Sequence, residues 1–229
     1  MSVSTSYQQT ANPFPFRMVK EGRGGTFTFR DSAVQDKVSN YDDEVDPDRD
    51  YQDRSSIRRI GTYACRTCVA LYYQIDDKRC FMAHIDGVLK ESGSTAITPD
   101  DRVVTDDEGK ELQSRVLDAL KQQVERSGWA PEAGHKAVAC CPQLELSNGR
   151  TLVGKYVLAA IRDFLGDDVK LEMLEEKDGF IVHQAKGQVE FTFDWNEDAN
   201  PALPPRAIGL GWYVACDDPG DRWTFEVER

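Results

Sequence analysis

The sequence predicts an α+β fold, a layered sandwich of mixed and antiparallel β-sheets with two main helices outside. Three observations carry this. Short runs of apolar, β-branched and aromatic residues recur along most of the chain, as strands require. Only two stretches show the apolar period of a helix long enough to pack. These two do not alternate regularly with the strand-like runs, which argues against a doubly wound parallel sheet.

Taken in order, residues 1–25 are rich in Ser, Gln, Asn and Pro and are expected to be loosely ordered. They end in Gly22-Arg23-Gly24-Gly25, which lacks the Lys and Ser/Thr of a phosphate loop and predicts a flexible turn. One domain is expected over 26–229, opening with a short strand at Thr26–Arg30. Residues 42–53 hold seven carboxylates and read as a solvated acidic loop. Asp46, Asp48 and Asp50 imitate the start of a calcium loop, but Tyr51 stands where glycine is needed and Ile57 where the closing Glu belongs.

A strand end at Ile57–Tyr63 leads to TCVALYYQIDDKRCFMAH, two strands joined by an acidic turn. Lys90–Arg102 is a polar loop expected to border a cleft. Gly109–Ser127 predicts a helix with Leu112, Val116, Leu120 and Val124 as its stripe, widened by Leu117 and stopped by Gly128. After a buried strand at Val138–Cys141, Thr151 is expected to cap a second helix, with Val153, Val157, Ile161 and Phe164 inward and Gly166 as its end. Strands follow at Val169–Leu174, Phe180–Gln184 and Gln188–Phe193, the first two separated by an Asp178-Gly179 turn. A Pro-rich connection at Asn200–Arg206 leads into a C-terminal strand extension, 206–229, with strands at Ile208–Cys216 and Trp223–Val227.

Composition narrows the function. The chain has 229 residues with 28 basic and 40 acidic side chains, a net charge of −12. That balance argues against nonspecific binding to nucleic acid or anionic lipid. No apolar run approaches the roughly 18 residues of a membrane span, and the N-terminus lacks a secretory pattern, so a cytoplasmic setting is expected. Six cysteines in a chain of this length are then expected to be reduced thiols.

The sharpest signal is Cys68 with His84. With Ile75, Asp76 and Asp77 as a three-residue loop, an antiparallel hairpin sets Cys68 directly opposite His84, about 5 Å apart at Cβ. A one-residue slip would put them on opposite faces. A thiol beside an imidazole can yield a thiolate that attacks carbonyl carbon, with the ring as base and then acid. Thr62, six residues before the cysteine, carries a hydroxyl able to orient the ring.

The stretch IGTYACRTCVALYYQIDDKRCFMAHIDG, from Ile60 to Gly87, resembles the active-site region of the CheD-type chemoreceptor glutamine deamidases, in the spacing of Thr62, Cys68 and His84. It is also similar to vertebrate-type N-terminal asparagine amidohydrolases, whose His-x-Asp-Gly pattern is matched by His84, Ile85, Asp86 and Gly87. Catalytic domains of the cytotoxic necrotizing factor class use a comparable Cys–His pair. The segments KAVACC, LVGKYVLAAIRDFLG, VKLEML, FIVHQA and GQVEFTF then follow a CheD-like order, so the resemblance covers about residues 57–194. It departs where Arg66-Thr67 precedes the cysteine and Asp86-Gly87 follows the histidine.

The resemblance implies a CheD-like domain that hydrolyses a carboxamide of Gln or Asn in a protein or peptide, through a thioester, with release of ammonia. Cys68 would be nucleophile, His84 base and acid, and Thr62 the orienting group, with no metal or organic cofactor. Two other readings stand beside it. One is a binding module on the same fold without turnover. The other is a redox or zinc protein using the Cys65-x-x-Cys68 pair, although VALYY reads as strand rather than the helix a thioredoxin-type dithiol precedes.

Overall fold

The computed structural model describes residues 16–29, 58–90, 99–194, 213–215 and 221–228. The acidic loop at 42–53, Trp195 and Trp212 lie outside them. The fold is α+β, with two sheets of mixed strand direction and two helices.

Five strands form the first sheet: β1 (Phe16–Met18), β3 (Arg59–Thr62), β8 (Lys177–His183), β9 (Gln188–Asp194) and β10 (Tyr213–Ala215), in the order β10-β1-β3-β8-β9. The second contains β2 (Arg23–Thr28), β4 (Val69–Gln74), β5 (Arg79–Lys90), β6 (Lys136–Cys140), β7 (Lys170–Leu174), β11 (Asp221–Arg222) and β12 (Thr224–Glu228). Its path is β11-β2-β5-β4-β6-β7, with β12 also paired to β5. Two helices, α1 (Asp106–Ser127) and α2 (Val153–Leu165), cover one face of this second sheet.

Side-chain alternation then sorts the interior into layers. Val69, Leu71, Tyr73, Phe81, Ala83 and Ile85 point toward the helices, where Leu112, Val116, Val157 and Ile161 meet them. Ala70, Tyr72, Cys80 and Met82 point the other way and pack on Ile60, Phe180 and Val182 of the first sheet. Residues of even number on β4 and β5 therefore face the space between the sheets, and the candidate site lies there.

Several expectations change. Residues 16–25 are not loose, for they supply β1 and the start of β2. The glycine run opens a strand instead of making a flexible turn. At Gly24 an added Cβ would stand 2.5 Å from Cβ of Ala83, so glycine lets β2 close on β5. Helix α1 begins at Asp106 because Thr105 and Glu108 form a capping box. Leu152, not Thr151, is the N-cap of α2 and gives no side-chain cap; the Thr151 carbonyl is held by the Val104 N–H. The chain leaves β7 for β8 at Glu175-Glu176, with Glu176 at φ 55°, and so passes from one sheet to the other. Asp178-Gly179 falls inside β8.

Among the described residues, no helix is long and apolar enough to cross a membrane.

Candidate active site

The predicted hairpin forms, but in another register. Gln74 opposes Cys80, Tyr72 opposes Met82 and Ala70 opposes His84. The connection is longer than the three residues expected. Asp76 causes this: its Oδ1 accepts the backbone N–H groups of Lys78 (2.8 Å) and Arg79 (2.7 Å), while Ile75 N–H bonds the Arg79 carbonyl. A shift of two residues preserves the face, so Cys68 and His84 share a side as expected. It changes the neighbour, however: Asp86 on β5 takes the place expected of His84. Sγ of Cys68 donates to Asp86 Oδ1 at 3.2 Å and makes no hydrogen bond to His84.

Thr62 reaches the ring. It ends β3 in the first sheet, and the chain then crosses to the second, turning at Ala64 with φ 63°. This crossing explains the six-residue spacing: Thr62 ends β3 in one sheet, Cys68 immediately precedes β4 in the other, and both face the same interior layer. Thr62 Oγ1 donates to the Val19 carbonyl at 2.7 Å and lies 2.9 Å from Nδ1 of His84. A hydroxyl has one proton, so with that proton on Val19 it accepts from Nδ1–H. Nε2 then carries the lone pair. It is buried and has no hydrogen-bond partner.

Burial is also the main reason His84 is held neutral, its pKa lowered from the ordinary 6.5 to about 4. The Arg102 charge adds to this, and the Glu21 carboxylate opposes it.

Around the thiol stand three groups that sequence spacing did not mark as site residues. Asp86 is buried and ion-paired with Arg102. Arg102, on the short 3-10 turn Pro99–Arg102, donates through Nη1 to Asp86 Oδ1 and to the Gly87 carbonyl at 2.7 Å, and through Nη2 to Asp86 Oδ2 at 3.3 Å. The same Nη1 lies 4.0 Å from Sγ of Cys68. Glu21, between β1 and β2, is a second acceptor in reach of the single S–H, 3.4 Å from Sγ, and lies 3.7 Å from Arg102 Nη2.

Burial pushes the Cys68 thiol well above the ordinary range, and the Glu21 carboxylate pushes it further, against the lowering pull of Arg102. An acid within an apolar strand, two residues from His84, was the available signal for Asp86. Nothing in the sequence tied Glu21 or Arg102 to it.

The strand edges meet at this point. On one side β5 pairs with β4; on the other it pairs with β2 as far as Ala83 and with β12 from Asp86 onward. Gly22 and Trp223 bridge the handover. Gly22 N–H bonds the His84 carbonyl at 2.9 Å, Asp86 N–H bonds the Trp223 carbonyl at 2.9 Å, and Trp223 N–H bonds the Gly22 carbonyl at 2.8 Å. His84 and Asp86 are therefore fixed by backbone bonds along the edge that β5 shares with β2 and β12. Helix α2 brings its first turn against the residue before the cysteine, where a Cβ at Gly154 would meet the Thr67 carbonyl at 2.8 Å.

Of the remaining sequence candidates, Cys65 borders the site and the other two histidines lie away from it. Cys65 is fully buried, 3.8 Å from Nδ1 of His84, and hydrogen-bonds with Cys140, while burial drives its pKa up. Cys65 and Cys68 are both free thiols. Among the described residues, the donor atoms that gather within 4.8 Å of one another belong to Glu21, Cys68 and Asp86, a group that does not include Cys65. His135 Nδ1 lies 2.8 Å from the hydroxyl of Tyr73, and His183 faces Arg59 across β3 and β8.

Compared with models of protein families and with curated proteins, the chain matches none.

Proposed function

We propose that the protein is a Cys–His amidohydrolase on a CheD-like layered fold, acting on a carboxamide of Gln or Asn in a protein or peptide. The observation that carries this reading is the state of His84. Its Nδ1–H is tied to a hydroxyl that has spent its own proton, and its Nε2 lone pair is bare, buried and on the face shared with Cys68.

In this reading the sulfur leaves the carboxylates and turns toward His84. The S–H bond breaks as the S–C bond forms, and the proton passes to Nε2. A ring that stays neutral down to about pH 4 does not hold a standing imidazolium beside a thiolate, so transfer accompanies attack. The tetrahedral adduct collapses, the C–N bond breaks, and the imidazolium protonates the departing nitrogen to give ammonia and a thioester. Water attacks the thioester, Nε2 takes its proton, and the carboxylate product leaves with the thiol restored. Thr62 keeps the tautomer throughout. None of these steps uses a metal or organic cofactor.

The test is ammonia release from Gln- and Asn-containing peptides and proteins, with Cys68→Ala alongside. Release by the wild type that the variant lacks is the expected result. Equal release by both would remove Cys68 from the role of nucleophile.

A further inference from the structure

Two charged groups beside the thiol have no part in the reaction just described. Arg102 is fixed: its Nη1 bonds the Gly87 carbonyl and Asp86, and its side chain is 14% exposed. Glu21 is not. Its side chain is 56% exposed, and its approach to Arg102, at 3.7 Å, is long. An ion pair of that kind is weak in water.

Resting on Cys68 as the nucleophile, we propose that Arg102 is the counter-ion for the negative charge that grows on Cys68 Sγ as its proton passes to Nε2 of His84, and that Glu21 is its antagonist, a rim carboxylate that holds the S–H until an incoming substrate displaces it.

The geometry gives each group one direction of action. A cation 4.0 Å from Sγ favours the anionic sulfur, and a carboxylate accepting the S–H at 3.4 Å favours the thiol. Asp86 is the other acceptor in reach of the one S–H, at 3.2 Å, but its charge is already matched by Arg102, so Glu21 is the carboxylate left to decide the balance. The other titratable groups around the sulfur are His84 on β5, held neutral, Cys65 on the crossing from β3, and Cys141 just after β6. None of them supplies a positive charge. α2 has no acidic residue in its first turn.

Displacing Glu21 removes an acceptor and a negative charge together. Arg102 is then free of one of its two carboxylate neighbours. A thiol gated in this way is inert to passing electrophiles and becomes nucleophilic when the mouth is filled.

Alkylation of Cys68 by iodoacetamide across pH tests the proposal, because it reads the thiolate without requiring turnover. Trypsin cleavage after Arg66 and Lys78 isolates Cys68 as the only cysteine in its peptide, so mass spectrometry follows it alone. Glu21→Gln, at an exposed position, is expected to lower the pH midpoint by about one unit and to raise the rate at neutral pH by up to about tenfold. Arg102→Gln is expected to move the midpoint up and slow the reaction about tenfold, with Arg102→Lys between it and wild type.

Opposite shifts are something a merely structural pair would not produce. An unchanged or raised midpoint in Glu21→Gln overturns the proposal, as does a wild-type profile in Arg102→Lys and in folded Arg102→Gln. If Arg102→Gln does not fold, the other two variants decide. Ammonia release that depends on Cys68, together with unmoved profiles, rejects this inference and leaves amide hydrolysis standing. The predicted shifts without any ammonia release do the reverse.

Discussion

His84 is a neutral base whose neutrality depends on folding. Its pKa falls from 6.5 to about 4 when it is buried, so between those values the unfolded chain binds a proton that the folded chain refuses. Stability contributed by the neutral ring is complete above pH 6.5 and is lost as pH falls toward 4. At pH 5 the loss from this one group is about 2 kcal/mol. Urea denaturation at pH 7 and pH 5 should show that drop in wild type, and His84→Gln should lose about that much less. An equal pH dependence in both proteins would show that His84 is not the group responsible. At this scale spacing brought the Thr62 hydroxyl to the His84 ring and put Cys68 on the same face, but the expected pairing of Cys68 opposite His84 does not form. Asp86 was hidden by the register, since a three-residue loop puts His84 where Asp86 stands. Arg102 and Glu21 come from other segments, and no periodicity links them to the thiol.

Among the elements, the helices were the more legible. Leu112, Val116 and Leu120 of α1 are fully buried, and Gly128 ends the helix at φ 64°. Turn residues misled more than stripes did. Asp178-Gly179 has the chemistry of a hairpin turn, yet Gly179 serves packing: a Cβ there would stand 2.3 Å from the Thr62 carbonyl oxygen and 2.5 Å from Tyr63 Cα. Both are backbone atoms, which cannot yield as a flexible side chain would. Gly179→Ala should therefore push β8 away from β3 at the residue that orients His84. We expect about 1–3 kcal/mol of destabilisation in denaturant. In NMR spectra, the hydrogen-bonded ring N–H of His84 should weaken or shift. A variant with both the stability and the ring signal of wild type would show that the strands have slack here.

For the whole molecule, the layer order was foreseen and the membership of the layers was not. Patterns of alternation predict sheets under helices, but they do not say that β7 and β8 lie in different sheets or that β12 runs parallel to β5. Those pairings are settled by contacts between segments distant in sequence. Trp223 is the clearest example: it is buried, lies edge-on to Phe81 at 5.1 Å, and links β12 to β5 and Gly22 through its backbone. Trp223→Ala should cost about 3–5 kcal/mol, read as a fall in the denaturant midpoint. A loss under 1 kcal/mol would mean the handover of the β5 edge does not depend on this side chain.

That handover has a consequence for the timing of biogenesis. β5 is synthesised with β4 already available, but the strand that completes the edge beside Asp86 emerges much later, as β12. While translation continues, a nascent chain has the thiol and the imidazole but not the backbone partner of Asp86 N–H. The thiol's full surroundings therefore assemble only after the downstream segment returns, and a polypeptide truncated before it would carry the sequence signature without the finished centre.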